Sequence, residues 1–300
     1  MKTGVRVMPI VLSHRPSAAC HLSEWSVEPG KREQLVTVLA YLYLQQEQNA
    51  ERVIRILDTR ARSSTARVLP NAIEKLTAPK PADLELSQHG DVEEQQKAND
   101  RMRVSVWHRD GHLFQYVSWV VARLTSPTSI LTPPHVRQAD KGFDGFIIEL
   151  DKAQKRVLKV VLCEDKASED PRKLITKSVW KEITSIQEGE REDEVSSALT
   201  TLLKAVPDLS DEELEDAVDV IFWEKIRQFR VSVATGEDQR GANDFSHLVA
   251  GFEDVALGAL ESRIGGVLPF DGVRDGLHQL AQDVIARLQQ IGLATEGDDV

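Results

Sequence analysis

A chain of 300 residues with 41% hydrophobic and 28% charged side chains has room for one large domain or two modest ones, and its composition is that of an ordinary globular protein. It holds no apolar run of about 18 residues, so no membrane span is expected. The only cysteines are Cys20 and Cys163, which offer neither a disulfide framework nor zinc spacing and point to a reducing cytoplasm. A net charge of −11 argues against a nucleic-acid binder at first sight, but it is concentrated. Residues 187–220 carry twelve acidic and two basic side chains, a net −10. Residues 151–181 carry nine basic and five acidic ones, a net +4.

In chain order, residues 1–30 read as one or two strands with loops, and the briefly apolar start lacks a signal-peptide cleavage site. Apolar spacing predicts helices over 31–48 and 51–62, and a short one over 70–76. Thr77-Ala78-Pro79-Lys80-Pro81-Ala82-Asp83 reads as a stiff linker. Residues 84–103 lack clear periodicity and read as a mobile connection, with a possible helix at 91–99. His112 to Leu124 is amphipathic, with Leu113, Phe114, Tyr116, Val117, Val120, Val121 and Leu124 on its apolar side, and carries Gln115 near its start. A proline-containing loop follows, then His135 and Asp140, which either position water or are simply solvated.

Two apolar strands come next, Gly142 to Ile148 and Val157 to Lys166. Strands apolar on both faces belong inside a sheet, so Asp144, Glu164, Asp165 and Lys166 at their ends call for an explanation, because burying charge is costly. Alternation puts Glu164 and Lys166 on one face with Leu158, Val160 and Leu162, and Asp165 on the other, facing solvent. A hairpin turning near Ala153-Gln154 would set Asp144 opposite a residue between Leu162 and Asp165. Cross-strand partners lie about 5–8 Å apart, a gap that suits a divalent cation between two carboxylates. Metal-assisted phosphodiester hydrolysis fits this set. Asp144 and Glu164 would hold Mg²⁺ or Mn²⁺, the Asp165 carbonyl would add an oxygen, and Lys166 would orient water or stabilise the phosphorane.

Asp144 followed by Glu164-Asp165-Lys166 resembles the D…ExK signature of the PD-(D/E)XK nuclease superfamily over residues 104–190. More loosely, it is similar to nuclease subunits of bacterial anti-phage defence systems, Hachiman-like or CBASS-effector-like. The resemblance implies an α/β fold, a mixed-sheet nuclease core flanked by helices. It also implies a helix before the Asp-bearing strand that supplies an acid or amide. Gln115 matches that position loosely, or is an exposed helical glutamine.

A helix is expected from about Pro171 to Gln187. Lys173, Lys177 and Lys181 stripe one face beside Arg172, either as a phosphate-binding surface or as a solvated face. Helices are predicted over 193–204 and 211–228, a strand over 229–235, a polar loop over 236–244, and helices over 246–260 and 275–290. Gly265-Gly266 reads as an isolated turn and residues 296–300 as a frayed tail. The acidic run faces solvent, a basic partner, or the substrate groove as a brake. No Gly-rich phosphate loop, nucleophile elbow or His-Glu-x-x-His is present.

The resulting organisation is an N-terminal strand and helical region with its linker (1–103), a nuclease core (104–190) and a mainly helical extension (191–300). The expected function is a metal-dependent nuclease, acting on DNA more than RNA and controlled by a partner such as a helicase or ATPase. The alternative is a non-enzymatic interaction subunit that keeps the nuclease shape.

Overall fold

The structure is a computed structural model that describes residues 8–60, 62, 64–135, 143–151, 156–206, 210–223 and 226–297. The chain opens with β1 (Ile10–Arg15) and β2 (His21–Val27), then α1 (Arg32–Tyr43), α2 (Glu47–Ile54), α3 (Thr65–Leu76), α4 (Pro81–His89) and α5 (Val92–Thr125). Next come β3 (Ile130–Leu131), β4 (Gly145–Asp151) and β5 (Arg156–Ala167). Helix α6 (Pro171–Leu174) runs through a π-turn at Ile175–Val179 into α7 (Trp180–Gln187). Helices α8 (Glu192–Lys204) and α9 (Asp211–Trp223), strand β6 (Arg227–Gly236), helix α10 (Phe252–Val255), strand β7 (Arg263–Phe270) and helix α11 (Val273–Gly297) complete it.

The seven strands form one mixed sheet in the order β1-β2-β7-β6-β5-β4-β3. The centre is parallel, with β2, β7, β6 and β5 side by side, and both flanks are antiparallel. Alternation along the strands divides the core in two. Ile147, Val161, Cys163, Ala234 and Leu268 face a layer built from α1, α2, α3, α5 and α11. Phe146, Ile148, Val160, Leu162, Val231, Val233 and Val267 face α6 to α10. Each such Val or Leu contributes about 1.5–3 kcal/mol relative to exposure. The molecule is therefore mixed α/β, with helices on both sheet faces. Strands from all three sequence segments share this sheet, and α5 crosses residue 103 without a break.

Several expectations need correction. Residues 84–103 are helical rather than a mobile connection, and the stiff linker is cut short because Pro81 starts α4 as its first residue. The separate helices expected at 91–99 and 112–124 are one helix of 34 residues. Asp91 and Glu94 form a reciprocal capping box at its start, which satisfies two otherwise orphaned amides. No proline interrupts it before Pro127, so the polar stretch between the two apolar patterns simply continues the helix. Gly265-Gly266 is not a turn but the middle of β7, between β2 and β6. The helix expected over 246–260 is broken into short turns around Gly251, whose φ of +82° is the left-handed conformation that glycine adopts without steric cost. Leu158 does not share a face with Val160 and Leu162. It is skipped in the β4–β5 register, where Lys159 pairs Glu149 and Val157 pairs Leu150, and this bulge leaves it 41% exposed. Within 296–300, Glu296 and Gly297 still belong to α11. The hairpin turn at Ala153-Gln154 and Asp140 lie outside the described residues.

Candidate active site

Strands β4 and β5 form the antiparallel hairpin that the apolar runs predict, with Gly145 opposite Cys163 and Phe146 opposite Leu162. Continued by one residue, that register sets Asp144 against Glu164, inside the expected interval. Glu164 and Lys166 project to the same side, and the Lys166 ammonium donates to Glu164 Oε2 at 2.8 Å. The same ammonium reaches Asp144 Oδ2 at 3.2 Å, so one cation bridges carboxylates from two neighbouring strands. Asp144 is further held by the backbone N–H of Asp165, at 2.7 Å to Oδ2, and by Gln115 Nε2, which donates to Oδ1. Gln115 is thus brought to the cluster by α5 rather than left as an exposed helical amide.

Electrostatics follow from burial. Glu164 is 4% exposed, and burial raises its carboxyl well above the usual carboxylate range, with Lys166 opposing and Asp144 adding to the rise. Burial also works against charge on Lys166, but Asp144 and Glu164 outweigh it, so the lysine is held above its ordinary value and stays protonated at neutral pH. Glu164 Oε1 is buried and accepts no hydrogen bond among the described residues. A buried carboxylate oxygen without a donor is costly.

The structure overturns the solvent-facing expectation for Asp165. Its side chain is 5% exposed and points into the layer beneath α5. There Ser118 Oγ donates to Asp165 Oδ1 at 2.6 Å, Arg230 Nη2 donates to Ser118 Oγ at 2.6 Å, and the Arg230–Asp165 ion pair measures 3.7 Å. Burial raises the Asp165 carboxyl and Arg230 opposes that shift. With its carboxylate so engaged, Asp165 has its backbone carbonyl left as the oxygen to offer a metal.

A cleft of about 280 Å³ opens beside the cluster. Trp107, His108, Gly111, His112 and Gln115 of α5 form one wall, and Asp144, Asp165, Lys166 and Ala167, with Leu174 of α6, the other. His112 is buried against Tyr43, its Nε2 donating to the His135 carbonyl at 2.7 Å. Burial pushes its pKa down to about 4, so it is a neutral structural group that pins the loop after β3 through His135. Cys163 lies under the cleft with its thiol pushed up to about 12 by burial, and is inert.

The helix of the basic stripe reaches this cleft through Leu174, not through its basic side chains. Arg172 Nη1 donates to the Leu248 and Ala250 carbonyls at 3.0 and 2.7 Å, tying α6 to the turn before α10. Lys173, Lys177 and Lys181 are exposed, and none of the four lines the cleft. On the α7 side, two residues without a sequence motif approach instead. Arg191 lies 4.4 Å over the Phe143 ring, next to Asp144 in sequence. Glu182, hydrogen-bonded by Ser178 at 3.0 Å, adds a second negative field on Glu164 and Lys166. Trp107, His108, Gly111, Ser118 and Arg230 were also missed. The signal was available only for Trp107, Gly111 and Gln115, whose spacing of four places them on one helical face once the helix is known to be continuous.

Among the described residues, no group of three or more His, Cys, Asp or Glu side chains converges as a metal cage. The donor set is two carboxylates, one with an unpartnered oxygen. Mg²⁺ is commonly held by one or two carboxylates while keeping waters and substrate phosphate oxygens in its shell; here the Lys166 ammonium bridges the two carboxylates. No helix among the described residues is long and apolar enough to cross a membrane. Neither a family model nor a curated protein matches this chain.

Proposed function

We propose that this chain is a metal-dependent nuclease that hydrolyses DNA phosphodiesters, with Asp144, Glu164 and Lys166 as its catalytic residues. One observation carries the reading. A single half-buried ammonium bridges Asp144, just before β4, and Glu164 on β5, at the wall of an open cleft. A structural ion pair needs no cleft, and an exposed Glu-x-Lys pair contributes little to stability.

Asp144 and Glu164 would hold Mg²⁺ or Mn²⁺, with the Asp165 carbonyl as a further oxygen donor. The ion would supply Lewis acidity toward the phosphate and a bound water of lowered pKa. The remaining work belongs to the chain itself. Gln115 and the Asp165 amide fix the Asp144 carboxylate before substrate arrives, so its orientation costs no reorganisation during reaction. Lys166 donates hydrogen bonds to both carboxylates. It orients a water or stabilises charge on the pentacovalent phosphorane. By the resemblance, the nuclease is a regulated subunit of an anti-phage defence complex; because a nuclease needs restraint and the sequence has no Gly-rich phosphate loop, a partner such as a helicase or ATPase would supply the control.

Purified chain incubated with DNA or RNA and Mg²⁺ or Mn²⁺ tests the assignment. Cleavage is expected, and Asp144→Ala, Glu164→Ala and Lys166→Ala should each abolish it while thermal unfolding stays cooperative. Equal cleavage by wild type and all three variants would remove the site. Calorimetric titration with Mn²⁺ separates a nuclease from an inactive interaction subunit. Binding lost in Asp144→Ala supports the enzyme, and no binding by wild type, with or without DNA, supports the subunit.

A further inference from the structure

Helix α5 presents Trp107, Gly111 and Gln115 in a line along the cleft wall. Their spacing of four residues keeps them on one face, and at 1.5 Å per residue Trp107 lies about 12 Å along the axis from Gln115, which grips Asp144. Trp107 is 46% exposed, and the Arg103 guanidinium sits 5.4 Å from its ring centroid. A lone exposed aromatic is ordinary on a protein surface. This one lines the cleft, with the Arg103 guanidinium, itself paired with Asp100 at 3.0 Å, against it.

Gly111 provides an independent observation. A glycine inside a helix costs about 1 kcal/mol relative to alanine, and an evident reason for one is a neighbour that leaves no room for a side chain. Gly111 has no such neighbour, because a Cβ built there meets nothing within 4 Å. The chain therefore carries a helix-weakening residue where packing does not require it, on the cleft wall midway between Trp107 and Gln115.

We propose that this helix face is the track of an unpaired nucleic-acid strand. Trp107 stacks on a base flanking the scissile phosphodiester, Arg103 faces the adjoining phosphate, and Gly111 leaves room for the nucleotide between. The proposal rests on the nuclease reading and adds the substrate form, single-stranded or frayed rather than intact duplex. Stacking suits this role because every base has a π-face, so the contact tolerates any sequence.

The test introduces Trp107→Ala, Trp107→Phe and Gly111→Phe separately into the Lys166→Ala chain, so that the strand survives the measurement. Fluorescence anisotropy at fixed salt and Mg²⁺ then reports affinity for a 12-nucleotide DNA strand, the matching RNA strand and the DNA duplex, with wild-type cleavage assayed in parallel. Trp107→Ala should weaken binding of the preferred single strand about tenfold or more, the scale of one base–aromatic stack. Trp107→Phe should restore most of it, and duplex binding should change little. Gly111→Phe should also weaken single-strand binding although its thermal midpoint does not fall, since phenylalanine is the better helix former. Unchanged single-strand affinity in Trp107→Ala and Gly111→Phe, with wild-type cleavage intact, would overturn the track and leave the nuclease standing. Equal losses for single strand and duplex would overturn it too. A Lys166→Ala chain that binds no nucleic acid, beside a wild type that cuts none, would sink both.

Discussion

At the scale of single residues, the two adjacent acids of β5 have been given opposite tasks by the alternation of the strand. Glu164 turns toward Asp144 and Lys166 with one oxygen unpartnered. Asp165 turns into the α5 layer and is spent on Ser118 and Arg230. Removing one member of a buried pair strands the other charge, which costs about 3–5 kcal/mol. Asp165→Ala should therefore lower the unfolding free energy measured in urea by about 3–5 kcal/mol, with Arg230 left behind. Asp144→Ala should abolish cleavage at little cost in stability, because it also relieves the like charge beside Glu164. If Asp165→Ala is as stable as wild type, the Arg230 pair is not the anchor described here.

At the scale of elements, the centre of the sheet depends on two glycines that carry no chemistry. A Cβ at Gly266 would lie 2.3 Å from the Trp25 ring, and one at Gly265 would lie 2.8 Å from the Cys20 sulfur. Trp25 is 1% exposed and hydrogen-bonded through Nε1 to Ser23 at 2.9 Å, so the ring cannot withdraw cheaply. Overpacking of this kind costs about 1–3 kcal/mol. Gly266→Val should lower the denaturation midpoint accordingly and shift the near-ultraviolet signal of Trp25. An unchanged midpoint would mean that β2 and β7 separate easily. Helix α5 works at the same scale. Its C-terminal half packs against the sheet and its N-terminal half pairs with α4, whose residues are all at least partly exposed. The cleft wall lies where the two halves meet.

At the scale of the whole molecule, the sheet separates the acidic surface from the cleft-lining helix. Helices α8 and α9 bury Val195, Leu199, Leu203, Leu214, Ala217 and Val218 against one face, whereas α5 lies on the other. Glu212, Glu215 and Asp216 are exposed on that far layer. Surface charges are screened over about 8–10 Å at moderate salt, so from the opposite sheet face they act weakly on a strand lying along α5, although Glu164 and Lys166 project to the same face as α8 and α9. The combined Glu212→Gln, Glu215→Gln and Asp216→Asn chain should cleave within about twofold of wild type at 0.15 M salt. A tenfold rise would mean that the acidic layer does reach the substrate path.

The mixed α/β class and the shared side of Glu164 and Lys166 were legible in the chain itself because both depend on local periodicity. A doubly apolar strand must be interior, and alternation alone assigns Glu164 and Lys166 to one side. The amphipathic pattern around Gln115 likewise marked the helix that meets them. What periodicity could not supply was any fact that needs a second element. Asp165 was misread because its partners, Ser118 and Arg230, come from other parts of the chain. Gly265-Gly266 resembled a turn because the reason for two glycines, the Trp25 ring of β2 and the sulfur of Cys20 just before it, lies more than two hundred residues away. The cleft itself, with Trp107 at its mouth and the gap at Gly111, came into existence only when a continuous α5 was laid across the end of the β4–β5 hairpin.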